Sequence, residues 1–276
     1  MEQRFHHSAT ETRNMPTAAL RQAFLVEQLM LPGTVRLVYT HYDRMIIGGI
    51  VPTQEPLLLP NHPELRAAYF LERREAGIIN VGGDGVVVAD GQEYTLSKLD
   101  SLYVGKGVQQ VQFRSVNSSQ PAYFYLLSAP AHQSYPVRKM TKEEATPVTI
   151  GSSETANERT IYKYIHLQGI QSCQLVMGLT RLHPGSVWNT MPPHTHTRRT
   201  EVYFYFDVHP EQRVFHFMGE PKETRHLVVA NHEAVISPPW SIHAGCGTAN
   251  YGFIWGMAGE NLEYSDMDPA PVTELN

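Results

Sequence analysis

The sequence predicts an all-β protein, folded as two similar barrels in one chain behind a short N-terminal helix. Three observations predict it. Short apolar and β-branched runs follow one another closely through residues 34–115 and again through 160–259, with turn residues between them. That spacing suits a sandwich or barrel better than alternating strands and helices. A polar stretch, "PAHQSYPVRKMTKEEATPVTIGSSETANE" (130–158), parts the two sets of runs. Finally, "LSKLDSLYVGKG" (96–107) and "VANHEAVISPPW" (229–240) echo each other. Each places an acid four residues after an aliphatic, then a β-run, then a turn, as an internal repeat would.

The elements follow in order. "MPTAALRQAFLVEQL" (15–29) reads as the helix, with Pro16 near its first turn and apolar residues at Leu20, Phe24 and Leu25. The strands of the first barrel fall in "TVRLVYTHYDRMIIGGIVP", "AAYFLERREAGIINVGG", "GVVVADGQEYTL" and "DSLYVGKGVQQVQFRS". Asp90-Gly91 marks a tight hairpin. The second barrel takes "TIYKYIHLQ", "CQLVMGLTRLHPGSVWNTM", "EVYFYFDV", "RVFHFMG", "RHLVVAN", "EAVISPPW" and "YGFIWGMAG". The division expected is a first barrel over 1–130, a connection over 131–158 and a second barrel over 159–276. The acidic tail, "ENLEYSDMDPAPVTELN", is expected to lie along the outside.

Bulk composition narrows the function. A net charge of −5 and a pI near 6.3 argue against a nucleic-acid surface. No apolar run approaches the ~20 residues of a membrane span. The first residues lack an apolar h-region, and Cys173 and Cys246 are too few for a disulfide framework, so a cytoplasmic location is expected. Any metal must then be held by His and carboxylate.

"MPPHTHTRRTEVYFYF" (191–206) is where chemistry concentrates. With 14 His in 276 residues, random placement gives roughly 0.7 His-x-His pairs, so the pair alone carries nothing. A Glu at one fixed downstream offset lowers the expectation to about 0.05. Period two along a strand puts His194 and His196 on one face. "TRRT" reads as a turn, and Glu201 opens the next strand with Tyr203 and Tyr205 on its face. The best third imidazole is His243 in "ISPPWSIHAGCG", with Gly245 and Gly247 ending its strand. Three imidazoles and a carboxylate suit Zn, Fe, Mn, Co or Ni, and leave room for exchangeable ligands. Tyr203 and Tyr205 either edge a substrate pocket with their hydroxyls or pack as core aromatics. Arg225, in a β-run where an idle charge is costly, is preferred over Arg198 and Arg199 as the clamp for a substrate carboxylate. His216 and His226 are read as structural, and Met191 and Met257 as core.

"HTHTRRTE" followed by "PPWSIH" resembles the two metal-binding motifs of the cupins. Gly185 stands nine residues before the first His rather than six, and Trp240 and Gly247 replace a Gly and an Asn. A narrower match absorbs these departures. "YFLERRE", "LYVGKG", "WNTMPPHTHTRRTEVYFYF", "ETRHLVV", "ISPPWSIH" and "FIWGMAGEN" resemble the 5-keto-4-deoxyuronate isomerases, the 4-deoxy-L-threo-5-hexosulose-uronate ketol-isomerases of pectin breakdown. The resemblance runs from residue 24 into the acidic tail. It implies a double-barrel, bicupin-like fold and one divalent metal per chain, Zn2+, held by His194, His196, Glu201 and His243 in the second barrel, the first being scaffold. It also implies a small sugar-acid substrate, isomerised through a metal-stabilised cis-enediolate, and a homo-oligomer, a hexamer. Glu201 and Tyr203 are the expected catalytic residues; Arg225 and Tyr205 are expected to bind substrate. A cupin dioxygenase with the same four ligands is the alternative.

Overall fold

The computed structural model describes residues 1–276, and β-strands dominate it. No helix is long and apolar enough to cross a membrane. The chain forms two compact units, neither of them continuous in sequence. Residues 1–3, 29–146 and 163–177 make the first; residues 4–28, 147–162 and 178–276 make the second.

In the first unit a seven-stranded sheet runs in the order Glu2–Arg4, Val35–Thr40, Ile46–Ile50, Phe124–Pro130, Arg74–Asn80, Ser101–Val104, Arg138–Met140. A four-stranded sheet, Leu57–Leu58, Val111–Ser115, Gly85–Ala89, Gln92–Leu96, completes it. Leu37, Ile78, Leu102, Val87, Phe113 and Phe124 belong to one buried apolar cluster. Alternating residues of facing strands supply that cluster, as period two requires. Asp90 and Gly91 have φ of 45° and 85° and pair Ala89 with Gln92, so the hairpin expected there forms.

The second unit repeats this plan. Its seven-stranded sheet runs Val148–Ile150, Arg159–Ile165, Val176–Leu182, Gly252–Gly259, Arg199–Phe206, Ala234–Ser237, Leu25–Val26. Its four-stranded sheet runs Trp188–Asn189, Ala244–Gly247, Val214–Glu220, Glu223–Val229. Ser101–Val104 and Ala234–Ser237, the strands of the two echoing segments, both stand sixth in their sheets. The echo is a true structural repeat.

The expected linear division needs correction. Residues 4–28 belong to the second unit, because Leu25 and Val26 pair with Val235 and Ala234. Residues 163–177 belong to the first, where the buried Glu75 carboxylate accepts the backbone N–H groups of Cys173, Gln174 and Leu175 at 2.7, 2.9 and 2.9 Å and the Tyr103 hydroxyl at 2.7 Å. Four donors converge on that one buried side chain and fasten the segment. The polar connection is also shared, since Arg138–Met140 and Val148–Ile150 pair into different sheets.

The N-terminal helix is two helices. Ala9–Arg13 is opened by a reciprocal cap in which Ser8 Oγ accepts from Glu11 N and the Glu11 carboxylate accepts from Ser8 N. Thr17–Phe24 buries Leu20, Ala23 and Phe24, then stops five residues short of the expected end, because Leu25 turns extended to join the sheet.

Candidate metal centre and its cavity

The strand Arg199–Phe206 is buried throughout and is paired on both sides, Glu201 lying opposite Ser237 and Met257. Its alternate residues Glu201, Tyr203 and Tyr205 share one face, as period two predicts. The strand begins at Arg199, two residues earlier than expected. His194 sits in a two-residue strand against Asp268–Pro269. His196 follows it, in a turn closed by Arg199 N donating to His196 O at 3.1 Å. His243 comes after the Pro238–Ser241 turn and immediately before the strand Ala244–Gly247, so Gly245 and Gly247 lie in the strand that it precedes. Gly245 is required there: a Cβ would stand 2.6 Å from Asn189 Nδ2 and 3.2 Å from the Tyr205 hydroxyl.

These elements bring His194, His196, Glu201 and His243 together, with one donor atom from each within 4.8 Å of all the others. Glu201 Oε2 lies 2.9 Å from Nε2 of both His196 and His243, and His243 Nε2 lies 3.0 Å from His194 Nε2. His196 Nδ1 is 3.0 Å from the Arg199 carbonyl, which can only accept, so Nδ1 carries a proton and Nε2 faces the carboxylate. Ser237 Oγ holds His243 Nδ1 at 3.2 Å. Four electron-rich atoms this close require positive charge among them.

The electrostatics agree. Burial opposes the charge on Glu201, but His243 and His196 outweigh it and hold the carboxyl well below its usual range. Burial also opposes protonation of His196, and the Glu201 carboxylate reverses that and raises it. Burial, with His243 adding to it, holds His194 neutral, down to about 3. The donor set therefore fits a divalent ion. Donors about 2.1 Å from one ion stand about 3.0 Å apart at right angles and about 3.4 Å apart in a tetrahedron, and the contacts of 2.9, 2.9 and 3.0 Å lie nearest the right-angle value.

Beside the quartet lies a cavity of about 290 Å³ whose wall includes His194, Glu201, Tyr203, Arg159 and Tyr264. The Tyr203 hydroxyl meets Thr190 Oγ1 at 2.9 Å, and burial, with the Glu201 carboxylate, keeps it a phenol. Met191 and Met257, expected in the core, line this cavity. The tail is corrected too. Instead of running only along the outside, it brings Tyr264 and Met267 into the cavity wall. Arg198 pairs with Asp266 and Asp268, and the buried Arg199 donates to the Glu263 and Asp266 carbonyls at 2.6 and 2.9 Å.

Two expected substrate contacts are elsewhere. Arg225 donates to the carbonyls of Thr12, Arg13 and Met15 at 3.0, 2.8 and 2.7 Å and does not line the cavity. Its charge has a task, which is to tie down the N-terminal helices. Tyr205 is fully buried beyond Tyr203, with its hydroxyl 2.8 Å from His216 Nδ1. His216 points inward, whereas His226 is exposed on its strand. Sequence reasoning missed Arg159, although the alternation of Arg159 and Ile161 in "RTIYKYI" carries a period-two signal and both line the cavity.

Comparison with known proteins adds the family. The chain is 58% identical over 275 residues to the 4-deoxy-L-threo-5-hexosulose-uronate ketol-isomerase of Halalkalibacterium halodurans, with 100% of each chain covered. It is 53% identical over 275 residues to the protein of that name from Caldicellulosiruptor bescii, again with 100% of each covered. Among solved structures, an IolB-like protein from Salmonella typhimurium superposes with a TM-score of 0.72 at 15% identity, covering 87% of this chain and 94% of that one. An oxalate decarboxylase from Lactobacillus farciminis gives 0.57 at 9% identity, covering 81% and 79%. At such identities the structures speak for the fold alone, and that fold is the double cupin barrel. The model of the KduI/IolB family matches residues 32–271, a span that holds most of both barrels and the whole quartet, and the chain belongs to that family.

Proposed function

We propose that this protein is a metal-dependent 4-deoxy-L-threo-5-hexosulose-uronate ketol-isomerase, converting its substrate to 3-deoxy-D-glycero-2,5-hexodiulosonate in polyuronate catabolism. End-to-end identity with relatives of that name carries the reading. The reaction moves a proton from the hydroxyl-bearing carbon to the neighbouring aldehyde carbon, and a second proton from one oxygen to the other. The C–H is a poor acid because negative charge develops on oxygen as it leaves. A divalent ion held by His194, His196, Glu201 and His243, zinc in this reading, supplies Lewis acidity to offset that charge.

The chain's own groups do the rest. Glu201 Oε2 faces the imidazoles, and its other oxygen, Oε1, takes and returns the carbon-bound proton. Tyr203, a buried phenol beside Glu201, is assigned as a donor to substrate oxygen rather than as the base. The apolar wall of Phe253, Trp255 and Met257 excludes water from the reacting carbons. The reading extends to a cytoplasmic hexamer, and sedimentation of a stable monomer at micromolar concentration would count against the assembly.

The dioxygenase alternative needs the same four ligands, and no observation favours it. Running the reaction anaerobically in D₂O separates the two. The isomerase places deuterium on the carbon that was the aldehyde and needs no oxygen, whereas a strict requirement for O₂ would overturn the assignment.

A further inference from the structure

Two arginines line the cavity beside the quartet, and they are in different states. Arg199 is wholly buried, and two of its nitrogens are committed to the carbonyls of Glu263 and Asp266. Arg159 opens the strand Arg159–Ile165 and gives only Nη1, to the Asn157 carbonyl at 2.8 Å. No carboxylate pairs with it. Burial holds its pKa below the usual arginine value, and Tyr264 and Tyr203 share the cavity wall with it.

A half-buried guanidinium with no acid beside it carries an uncompensated desolvation cost. Its neighbours in the wall, Ile150, Ile161 and Trp255, do nothing to relieve that cost. An anion entering the cavity would. Placement supports this. Arg159 and Glu201 lie on strands separated by Val176–Leu182 and Gly252–Gly259. Strands of one sheet stand about 4.8 Å apart, so the two backbones are roughly 14 Å apart across the sheet. Both residues line one cavity, across a gap that a six-carbon chain can bridge.

We propose that Arg159 binds the substrate's carboxylate and thereby makes the site select sugar acids over neutral sugars. The assignment rests on the isomerase reading and adds the specificity-determining residue to it. Arg159 grips the end of the chain remote from the aldehyde, where Tyr264 shares the cavity wall with it.

The test compares wild type, Arg159→Met and Arg159→Lys, each with metal content measured. Steady-state kinetics is run on the keto-uronate, and calorimetry on a stable hexuronate and the corresponding neutral hexose. Loss of charge-assisted hydrogen bonds predicts a KM raised roughly 10- to 100-fold in Arg159→Met, with kcat changed much less. Arg159→Lys should fall between, and it decides the matter if the Met variant does not fold. Hexuronate binding should drop with KM, while hexose binding and metal content stay at wild-type levels. Unchanged KM and unchanged hexuronate affinity in a folded variant would overturn the proposal. If wild type fails to turn over the keto-uronate, the isomerase reading falls, and the hexuronate–hexose comparison still decides whether Arg159 is an anion site.

Discussion

Tyr205 and His216 show how much of the barrel floor is polar and closed. The Tyr205 hydroxyl lies 2.8 Å from His216 Nδ1, and the buried Nε2 meets no partner. Tyr205→Phe removes the one hydrogen-bond partner of that ring from a site without solvent, so it should destabilise the protein by about 1–3 kcal/mol. KM should stay near wild type, because Tyr205 does not line the cavity. Thermal melting with kinetics checks both. His216 also carries a pH signature. Burial holds it neutral down to about 3, below its ordinary value near 6.5. Between those values the unfolded chain takes a proton that the folded chain refuses, so stability is full above about pH 6.5 and falls as the pH drops toward 3. Denaturant unfolding from pH 7 to 4 should show a slope smaller by about one proton in His216→Gln than in wild type. Identical slopes would mean that His216 is not held neutral.

At the scale of elements, legibility followed periodicity. The strands around Asp90-Gly91 and the face shared by Glu201, Tyr203 and Tyr205 were readable because period two and turn chemistry fix them locally. Glu201 was readable for the same reason and His243 through the proline turn ahead of it, whereas the strand expected to carry both His194 and His196 stops at Thr195 and His196 lies in the turn that follows. The first short helix had a readable cap, Ser8 with Glu11, and was overlooked. The role of the tail was not readable. Its residues have no period, and Arg198 and Arg199 hold it through contacts 64–70 residues away in sequence. Arg225 lies away from the cavity on the carbonyls of residues 12, 13 and 15, which its strand position does not foretell, because that position tells where a charge is and not which carbonyls it finds. Arg225→Ala should speed amide exchange across residues 9–24 while leaving KM unaltered, since its three acceptors lie at 12, 13 and 15. A raised KM with unchanged exchange would restore the clamp role.

Across the whole molecule, two sheet pairs share one strand order, and the quartet that could hold an ion lies in the second unit alone. The repeat was legible only faintly, because alternating strands resemble one another and the exchange of edge segments between units is a long-range event. The central claim is that the quartet holds the ion on which isomerisation depends. The measurement that tests it most directly is an anaerobic isomerase assay on protein stripped by chelator and titrated with zinc. Activity should be absent at the start, rise linearly and saturate at one ion per chain, while His196→Ala neither binds the ion nor gains activity yet keeps the β-rich circular dichroism of wild type. Full turnover by the metal-free protein would contradict the account.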